Sequence, residues 1–282
     1  MINLPQLLDY PIPEGRQNLS RRDVAFYALS VGLGQDPLDT RQLAFVDFTK
    51  PLPALPFQSV VLAPHGFWMA DPRTGIDVVR VVHGEQSMTF HAPLPIDGEV
   101  IGRSRVAGVI DKGEGKGALI YLEKELVDVA TGKLIATLES TLFARGNGGF
   151  GGPTGPVKPA HPMPETAPDF TLDLPTRPEQ ALYYRMNGDH NPLHSDPAVA
   201  TRAGYPQPIL HGLCTLGVCG HALLRALCDY APERLASLAL RFSAPVLPGD
   251  TIRVEMWRDG SFRARVPERD VVVINNGKAV IR

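Results

Sequence analysis

The densest group of reactive side chains in this 282-residue sequence lies between residues 183 and 197. Within that segment Gly188 directly precedes Asp189, and Pro192 stands two residues before His194. Gly188 is expected to end a helix and Pro192 to prevent its continuation, so the chain should turn tightly here. Such a loop can direct Asp189 and His194 to one place, where an acid and an imidazole can activate a water molecule by general acid–base catalysis.

A second chemical feature is the segment that leads from Gly204 to Gly212. Pro206 and Pro208 make this approach rigid, and an apolar helix is predicted to begin at Gly212. The first N–H groups of a helix have no partner within it, and the helix dipole places positive charge at this end. Gly212 can therefore offer a backbone N–H to negative charge that develops on a substrate oxygen.

Simpler explanations exist for the same residues. Asp189 could form only an Asx turn with its own loop, and His194 could be a hydrogen-bonded packing residue. A metal site is a sharper alternative, and its ligands would be Asp189, His190, His194 and His211. However, the spacing of His190 and His194 brings two ligands together only on a helix, which Pro192 forbids. We therefore predict no metal.

The elements that position these residues can be recognised because the chain contains the same landmarks twice, in the same order. The pairs are residues 20–23 and 176–179, His65-Gly66 and His211-Gly212, residues 90–93 and 242–245, and residues 131–133 and 276–278. The first pair is predicted to cap short helices, and the last pair to form hairpin turns around a glycine. Each half therefore predicts a capped helix, a loop, a second helix that begins at His-Gly, and several antiparallel strands.

The predicted helix over residues 212–228 is apolar on nearly all sides, as expected of a helix that a sheet wraps around. That order of elements is the order of a hotdog domain. The sequence thus predicts an α+β double hotdog, with two antiparallel sheets that each wrap a central helix. Residues 148–170 contain six prolines and predict a semi-rigid connector between an N-terminal repeat, residues 1–147, and a C-terminal repeat, residues 171–282.

The first repeat departs from the second where its central helix should begin. Pro72 and Gly75 interrupt the segment after His65, so this helix is predicted to be truncated. Its absence would leave an apolar trough in the sheet, near Phe67, Trp68, Met69 and Val79. Such a trough suits a bulky apolar ligand, but a loop could fill it equally well.

Charge and composition argue against several classes of protein. The 28 Lys and Arg residues are balanced by 30 Asp and Glu residues without any block of like charge, so no nucleic-acid partner is expected. The chain begins without a signal-peptide pattern, and its apolar stretch contains His221 and is shorter than the ~18 residues that suggest a membrane span. Cys214, Cys219 and Cys228 are interpreted as reduced core residues, which favours a cytoplasmic protein with no membrane contact.

Residues 188–197 (GDHNPLHSDP), followed by residues 208–212 (PILHG), resemble the hydratase 2 motif of the MaoC-like (R)-specific enoyl-CoA hydratases. The likeness extends over nearly the whole chain. Residues 83–86 (HGEQ), 111–113 (DKG), 143–146 (FARG), 149–152 (GFGG) and 241–242 (RF) are similar to the double-hotdog hydratase 2 unit of the peroxisomal multifunctional enzyme.

This resemblance implies hydration of trans-2-enoyl-CoA to (3R)-3-hydroxyacyl-CoA. The truncated helix of the first repeat, for its part, predicts room for medium to long or bulky acyl chains. Asp189 and His194 would be the catalytic pair, and the Gly212 N–H would lie in the oxyanion hole. The residues implied to contact the acyl-CoA thioester are His83, Gly84, Lys112, His190, Asn191, Pro192, Leu193 and Phe242. No cofactor is implied, since CoA is part of the substrate, and a homodimer is compatible with the family.

The first repeat departs from the active motif, because residues 34–39 (GQDPLD) contain no histidine and no Asn before the proline. It is predicted to be non-catalytic and to accommodate the acyl chain. Two alternatives stay open at this point: an acyl-CoA thioesterase on the same fold, and an acyl-CoA binding module without catalysis.

Overall fold

Ten antiparallel strands form one continuous sheet in the computed structural model, which describes residues 1–282. The strands are β1 (Gly15–Leu19), β2 (Val81–Phe90), β3 (Gly98–Asp111), β4 (Ala118–Asp128), β5 (Leu134–Ala144), β6 (Phe170–Pro175), β7 (Leu235–Phe242), β8 (Thr251–Met256), β9 (Ser261–Val266) and β10 (Val271–Ile281). Their order across the sheet is β1-β3-β4-β5-β2-β7-β10-β9-β8-β6. Each repeat thus contributes five neighbouring strands, and β2 pairs with β7 at the seam between the repeats. The predicted double hotdog is confirmed, with its two halves joined in a single sheet.

The helices are short, as the proline content predicts, with one exception. They are α1 (Leu4–Leu8), α2 (Arg21–Ser30), α3 (Thr40–Leu43), α4 (Gln180–Tyr184), α5 (Pro197–Arg202) and α6 (Gly212–Leu227). Helix α6 begins at the predicted glycine and is the central helix of the second repeat, with every residue from Cys214 to Leu224 buried. None of the helices combines the length and apolar character needed to cross a membrane.

The first repeat has no counterpart of α6. After His65 and Gly66 the chain forms only three short 3-10 turns, Trp68–Ala70, Pro72–Thr74 and Val78–Arg80, so the predicted truncation is confirmed. Instead, the preceding loop fills the space, with Phe45, Leu55 and Phe57 buried in the main core. The Phe57 ring lies so close to α6 that a Cβ at Gly220 would be 2.6 Å from it. Of the two alternatives for the trough, the structure favours a loop that fills it.

A second, smaller core lies on the part of the first sheet that neither α6 nor this loop reaches. Trp68 and Leu7 of α1 are buried there against β3, β4 and β5. Phe67 and Val79, which the sequence placed beside the trough, are instead 66% and 90% exposed. The N-terminal residues therefore cover sheet surface that a central helix covers in the other repeat.

Two local predictions are wrong. The capping box forms in the first repeat between Ser20 and Asp23, but not in the second. There the Thr176 hydroxyl donates to the Asp250 carbonyl at 2.7 Å, so the side chain that should cap α4 is used to hold a distant turn. Similarly, residues 276–278 do not form a hairpin turn. They lie inside β10 as a bulge, where a Cβ at Gly277 would be 2.5 Å from the Phe262 carbonyl of β9.

The connector between the repeats contains no helix or strand from residue 148 to residue 169. Its start is fastened to the first repeat by the buried Asp111 carboxylate. Backbone N–H groups of Gly149 and Gly151 each donate to this carboxylate at 2.8 Å, and Gly113 donates at 2.9 Å. These bonds hold the pKa of Asp111 below its usual value.

The three cysteines are buried and unpaired, as predicted.

Candidate active site

The loop that carries the acid and the imidazole begins where α4 ends. The helix continues through one 3-10 turn, and Gly188 then terminates it with a φ of 115°, a value in the left-handed region that glycine adopts readily. Pro192 opens a second short turn, Pro192–His194, because proline suits the first position of a turn but cannot continue a hydrogen-bonded helix. The predicted tight loop is therefore present.

His194 is buried, and one hydrogen bond fixes which ring nitrogen carries the hydrogen in its neutral form. Its Nδ1 lies 2.8 Å from the Ile209 carbonyl oxygen. A carbonyl only accepts, so Nδ1 carries the hydrogen and Nε2 keeps a free lone pair that can accept a proton. Burial also lowers the pKa of the imidazole, so the neutral form predominates near pH 7.

Asp189 lies beside this imidazole and stays partly open to solvent. One carboxylate oxygen accepts from the Asn191 N–H at 3.1 Å, which is the Asx turn that a purely structural role would produce. The other oxygen has no protein donor and is available to a ligand. One oxygen of Asp189 and one nitrogen each of His194 and His211 lie within 4.8 Å of one another. The predicted convergence of acid and imidazole is present in the structure.

His211 belongs to the same group, although the sequence suggested it only as a metal ligand. Its ring stacks on His194 with centroids 3.7 Å apart, and its Nε2 lies 3.3 Å from the Asp189 backbone carbonyl. Burial, together with the neighbouring His194, lowers the pKa of His211 to about 4. A neutral His211 therefore packs against the ring of His194 and donates a hydrogen bond to the backbone of Asp189. The recurrence of His-Gly in both repeats was the available sequence signal for this residue.

The same geometry is unsuited to a shared metal ion. A histidine binds a metal through a lone pair in the plane of its ring, and the planes of His194 and His211 are stacked with only 26° between them. Their lone pairs therefore cannot converge on one point. In addition, Nδ1 of His194 and Nε2 of His211 already face carbonyl oxygens.

Gly212 is the first residue of the 16-residue α6, and no side chain caps this end of the helix. Its N–H has no acceptor within the helix, so this N–H is free to bind a ligand oxygen. A Cβ at this position would lie 3.2 Å from the ring of Phe242. Glycine therefore lets the helix end approach the aromatic ring closely.

The first repeat contributes His83 to this site. The pairing of β2 with β5 shifts by one residue between His83 and Glu85, and this bulge at Gly84 changes the direction of the His83 side chain. The His83 ring lies 4.9 Å from the Phe242 ring, and its Nε2 donates to the Glu85 carbonyl at 3.1 Å. Desolvation lowers the pKa of His83 to about 4, against the opposing effect of the Asp189 charge.

Of the other predicted binding residues, Lys112 and His190 are exposed to solvent, and Asn191 stabilises the loop that carries Asp189. Lys112 is exposed on the loop between β3 and β4, with Nζ 5.9 Å above the Phe143 ring and at the same end of the sheet as His83. His190 is exposed, and its carbonyl accepts from Arg185. Asn191 uses its side-chain oxygen to accept from the Leu193 N–H at 3.0 Å, so its oxygen stabilises the loop.

Comparisons with known proteins place this arrangement in a family. The family description "MFE-2 hydratase 2 N-terminal domain" matches residues 18–146, and "MaoC like domain" matches residues 159–279. The chain is 42% identical to 3-hydroxyacyl-thioester dehydratase Y of Mycobacterium tuberculosis, over 86% of this chain and 83% of that protein. It is 35% identical to the peroxisomal enoyl-CoA hydratase 2 of Arabidopsis thaliana, over 96% and 93%.

A solved structure agrees in fold. The MaoC-like dehydratase from Phytophthora capsici is 31% identical to this chain and superposes with a TM-score of 0.87, covering 100% of this chain and 98% of its own. The family resemblance inferred from the motifs is thereby confirmed. The chain belongs to the MaoC-like hydratase 2 family, whose double hotdog it shares from end to end.

Proposed function

We propose that this protein catalyses the reversible, (R)-specific addition of water to trans-2-enoyl-CoA, which gives (3R)-3-hydroxyacyl-CoA. The observation that carries the proposal is the convergence of Asp189 and His194, whose ligand atoms lie within 4.8 Å of each other, beside the N-terminus of α6. The names of the relatives, an enoyl-CoA hydratase 2 and a 3-hydroxyacyl-thioester dehydratase, support the same reaction in its two directions.

The chemistry requires a donor where negative charge develops. When water adds to C3, the electron pair of the C2–C3 double bond moves toward the thioester carbonyl, and its oxygen becomes an enolate oxygen. We assign the stabilisation of that charge to the Gly212 N–H, because it lies at the positive end of α6. A fixed backbone donor needs no rearrangement during the reaction, which makes it effective for this purpose.

The proton transfers are assigned to Asp189 and His194 together. The attacking water gives one proton to the pair, and C2 receives one proton from the pair on the same face, so the net change is the addition of one water molecule. The neutral His194 can accept through Nε2, and Asp189 can hold the water through its unengaged oxygen. Because both groups face the same water molecule, the two proton transfers are assigned to the pair and not to either residue alone.

The acyl-CoA substrate is proposed to lie along the seam between the repeats. His83 and Phe242 face each other across this seam, and Gly212 lies against Phe242. Lys112, an exposed cation at the same end of the sheet, is suited to a CoA phosphate as a mobile point charge.

Because a loop fills the core of the first repeat, an acyl chain of medium or greater length would follow the exposed Phe67 and Val79. Cytoplasmic location and a homodimer stay predictions.

The test is the turnover of trans-2-enoyl-CoA substrates of increasing chain length, followed by the loss of enoyl-thioester absorbance. Chiral analysis should identify the (3R)-hydroxy product, and no free thiol should appear. Release of free CoA would instead identify a thioesterase, and binding without turnover would identify a binding module. An activity confined to four-carbon substrates would contradict the proposed chain length.

A further inference from the structure

An ion pair crosses the seam between the two repeats immediately beside the proposed site. Glu85 of β2 and Arg241 of β7 stand directly opposite each other. Both Nε and Nη2 of Arg241 contact one oxygen of Glu85, at 2.9 and 2.5 Å. The other Glu85 oxygen accepts from the Thr141 hydroxyl of β5 at 3.0 Å. One carboxylate therefore ties together β5, β2 and β7.

Glu85 and Arg241 are the last paired residues of the two strands that join the repeats. The pairing of β2 with β7 runs over five positions and ends at Glu85 and Arg241. Beyond this end lie His83, two residues before Glu85, and Phe242, which follows Arg241. Neither has a backbone pairing partner across the seam, and their rings approach each other across it with centroids 4.9 Å apart. The position of one ring relative to the other thus depends on how firmly the Glu85–Arg241 pair holds the two strands together.

We propose that the Glu85–Arg241 pair is a positioning device, through which the first repeat holds His83 and Phe242 in register with the Gly212 donor. The inference rests on the proposed hydration activity for its kinetic test. The bulge at Gly84 interrupts the regular pairing of β2 with β5, and beyond Glu85 the strand has no partner on its β7 side. Two N–H groups of one planar guanidinium hold the same Glu85 oxygen, which fixes the geometry there more closely than a single ammonium group would.

A contribution to stability alone would not explain this arrangement, because exposed ion pairs contribute little to folding. The side chains of Arg241 and Glu85 are 42% and 29% exposed. The chain offers a matched pair at the far edge of the sheet, where Arg253 of β8 contacts Asp173 of β6 through two bonds of 2.7 Å. That pair is also cross-strand and of similar exposure, at 39% and 47%. It serves as the control for a structural effect.

The kinetic experiment compares Glu85→Gln and Arg241→Lys with Asp173→Asn and Arg253→Lys. We expect Glu85→Gln and Arg241→Lys each to lower kcat by about tenfold, because small displacements of groups around a reacting centre are costly to its rate. The two control variants should keep kcat within about twofold, with shifts in Tm equal to those of the seam variants. Equal kcat in the seam and control variants would overturn the proposal. So would a loss in Arg241→Lys without a loss in Glu85→Gln, since Arg241 would then act alone on the substrate.

A second measurement does not depend on turnover. The imidazole resonances of His83 in the full-length protein, assigned by their loss in His83→Asn, report the ring current of Phe242. They should move in Glu85→Gln and stay in place in Asp173→Asn. Unmoved His83 resonances in Glu85→Gln would contradict the proposal even if the wild-type protein showed no hydratase activity, whereas absent wild-type activity alone would contradict only the proposed function.

Discussion

The two repeats contain the same sequence landmarks but differ at the point where chemistry is possible. In the second repeat, His211-Gly212 opens a 16-residue helix whose first N–H has no side-chain cap and no acceptor within the helix. In the first, His65-Gly66 leads into 3-10 turns, and Gly66 has a φ of 68°. The His-Gly dipeptide is therefore not sufficient for an oxyanion site, because the N–H needs a helix behind it to carry positive charge at the right place.

The loops that precede these dipeptides show the same contrast. Asp36 accepts from the Leu38 N–H at 2.9 Å, just as Asn191 accepts from the Leu193 N–H at 3.0 Å. The turn is thus preserved in the first repeat. However, the residue after this turn is Asp39, which caps α3, whereas in the second repeat it is His194, which is buried and holds a free lone pair. The backbone of this turn has been kept in both repeats, and the reactive groups in only one.

Among changes to the two His-Gly dipeptides, the largest effect is expected from removal of the N–H that distinguishes the second repeat. Gly212→Pro deletes this donor, and proline is tolerated at the first position of a helix, after a residue with an extended backbone such as His211. We expect kcat to fall by about 10²–10³-fold, the usual result of losing one oxyanion donor. Steady-state hydration assays measure this.

Gly212→Ala is the control for that change. It brings the same Cβ within 3.2 Å of Phe242 but keeps the N–H. If the alanine variant loses as much activity as the proline variant, crowding of Phe242 explains the loss, and the helix end has no special part in the difference between the repeats.

A smaller effect is expected from the two histidines of the His-Gly dipeptides. His211→Asn removes the ring that stacks on His194 and should lower kcat by about tenfold through misplacement of the catalytic pair. His65→Asn removes a ring that meets the Ser104 hydroxyl at 3.1 Å and the ring of Trp68 edge-on, away from the catalytic pair, and should leave kcat unchanged. Comparable losses in both variants would mean that the first repeat takes part in the chemistry.

A third prediction concerns what replaces the missing helix. Leu7 of α1 is fully buried in the small core of the first repeat. Leu7→Ala should lower the free energy of unfolding by about 2–5 kcal/mol, because it leaves a cavity, while kcat stays unchanged. Denaturant unfolding and hydration assays on the same variant measure both quantities. A loss of less than about 1 kcal/mol would show that α1 covers this sheet only loosely.

The smallest difference between the repeats is expected in their response to acid. Desolvation lowers the pKa to about 4 for His65 and His83 in the first repeat, and for His211 and His221 in the second. Between pH 6.5 and 4 the unfolded chain binds protons that the folded chain excludes. The stability from these groups is therefore complete above pH 6.5 and decreases as the pH falls toward 4.

Thermal unfolding from pH 8 to pH 4.5 measures this effect. His65→Asn and His211→Asn should each reduce the decrease in Tm by a similar amount. A reduction in only one of the two variants would contradict an equal contribution from the repeats.

Sequence reasoning succeeded where the signal was local. Gly188 and Pro192 restrict the backbone directly, so the loop of Asp189 and His194 could be predicted from residue type alone. The start of α6 at Gly212 followed from an apolar run and a rigid approach. The repeat supplied the rest of the architecture, because each half predicts the same order of elements.

The failures involve partners that are distant along the chain. Thr176 does not cap α4 because its hydroxyl donates to the backbone carbonyl of Asp250, 74 positions away. The filling of the first repeat by Phe57 depends on α6, and the role of His211 depends on the placement of His194. The ion pair of Glu85 and Arg241 joins residues 156 positions apart. No pattern of propensity or spacing specifies such contacts before the fold is known.

The central claim is that the chain has one active site, built on the second repeat around Asp189. The most direct test is the hydration of trans-2-enoyl-CoA by Asp189→Asn, compared with Asp36→Asn in the corresponding loop of the first repeat. The account predicts that Asp189→Asn lowers kcat by about 10²–10⁴-fold, whereas Asp36→Asn retains wild-type kcat. Full activity in Asp189→Asn, or an equal loss in both variants, would contradict it.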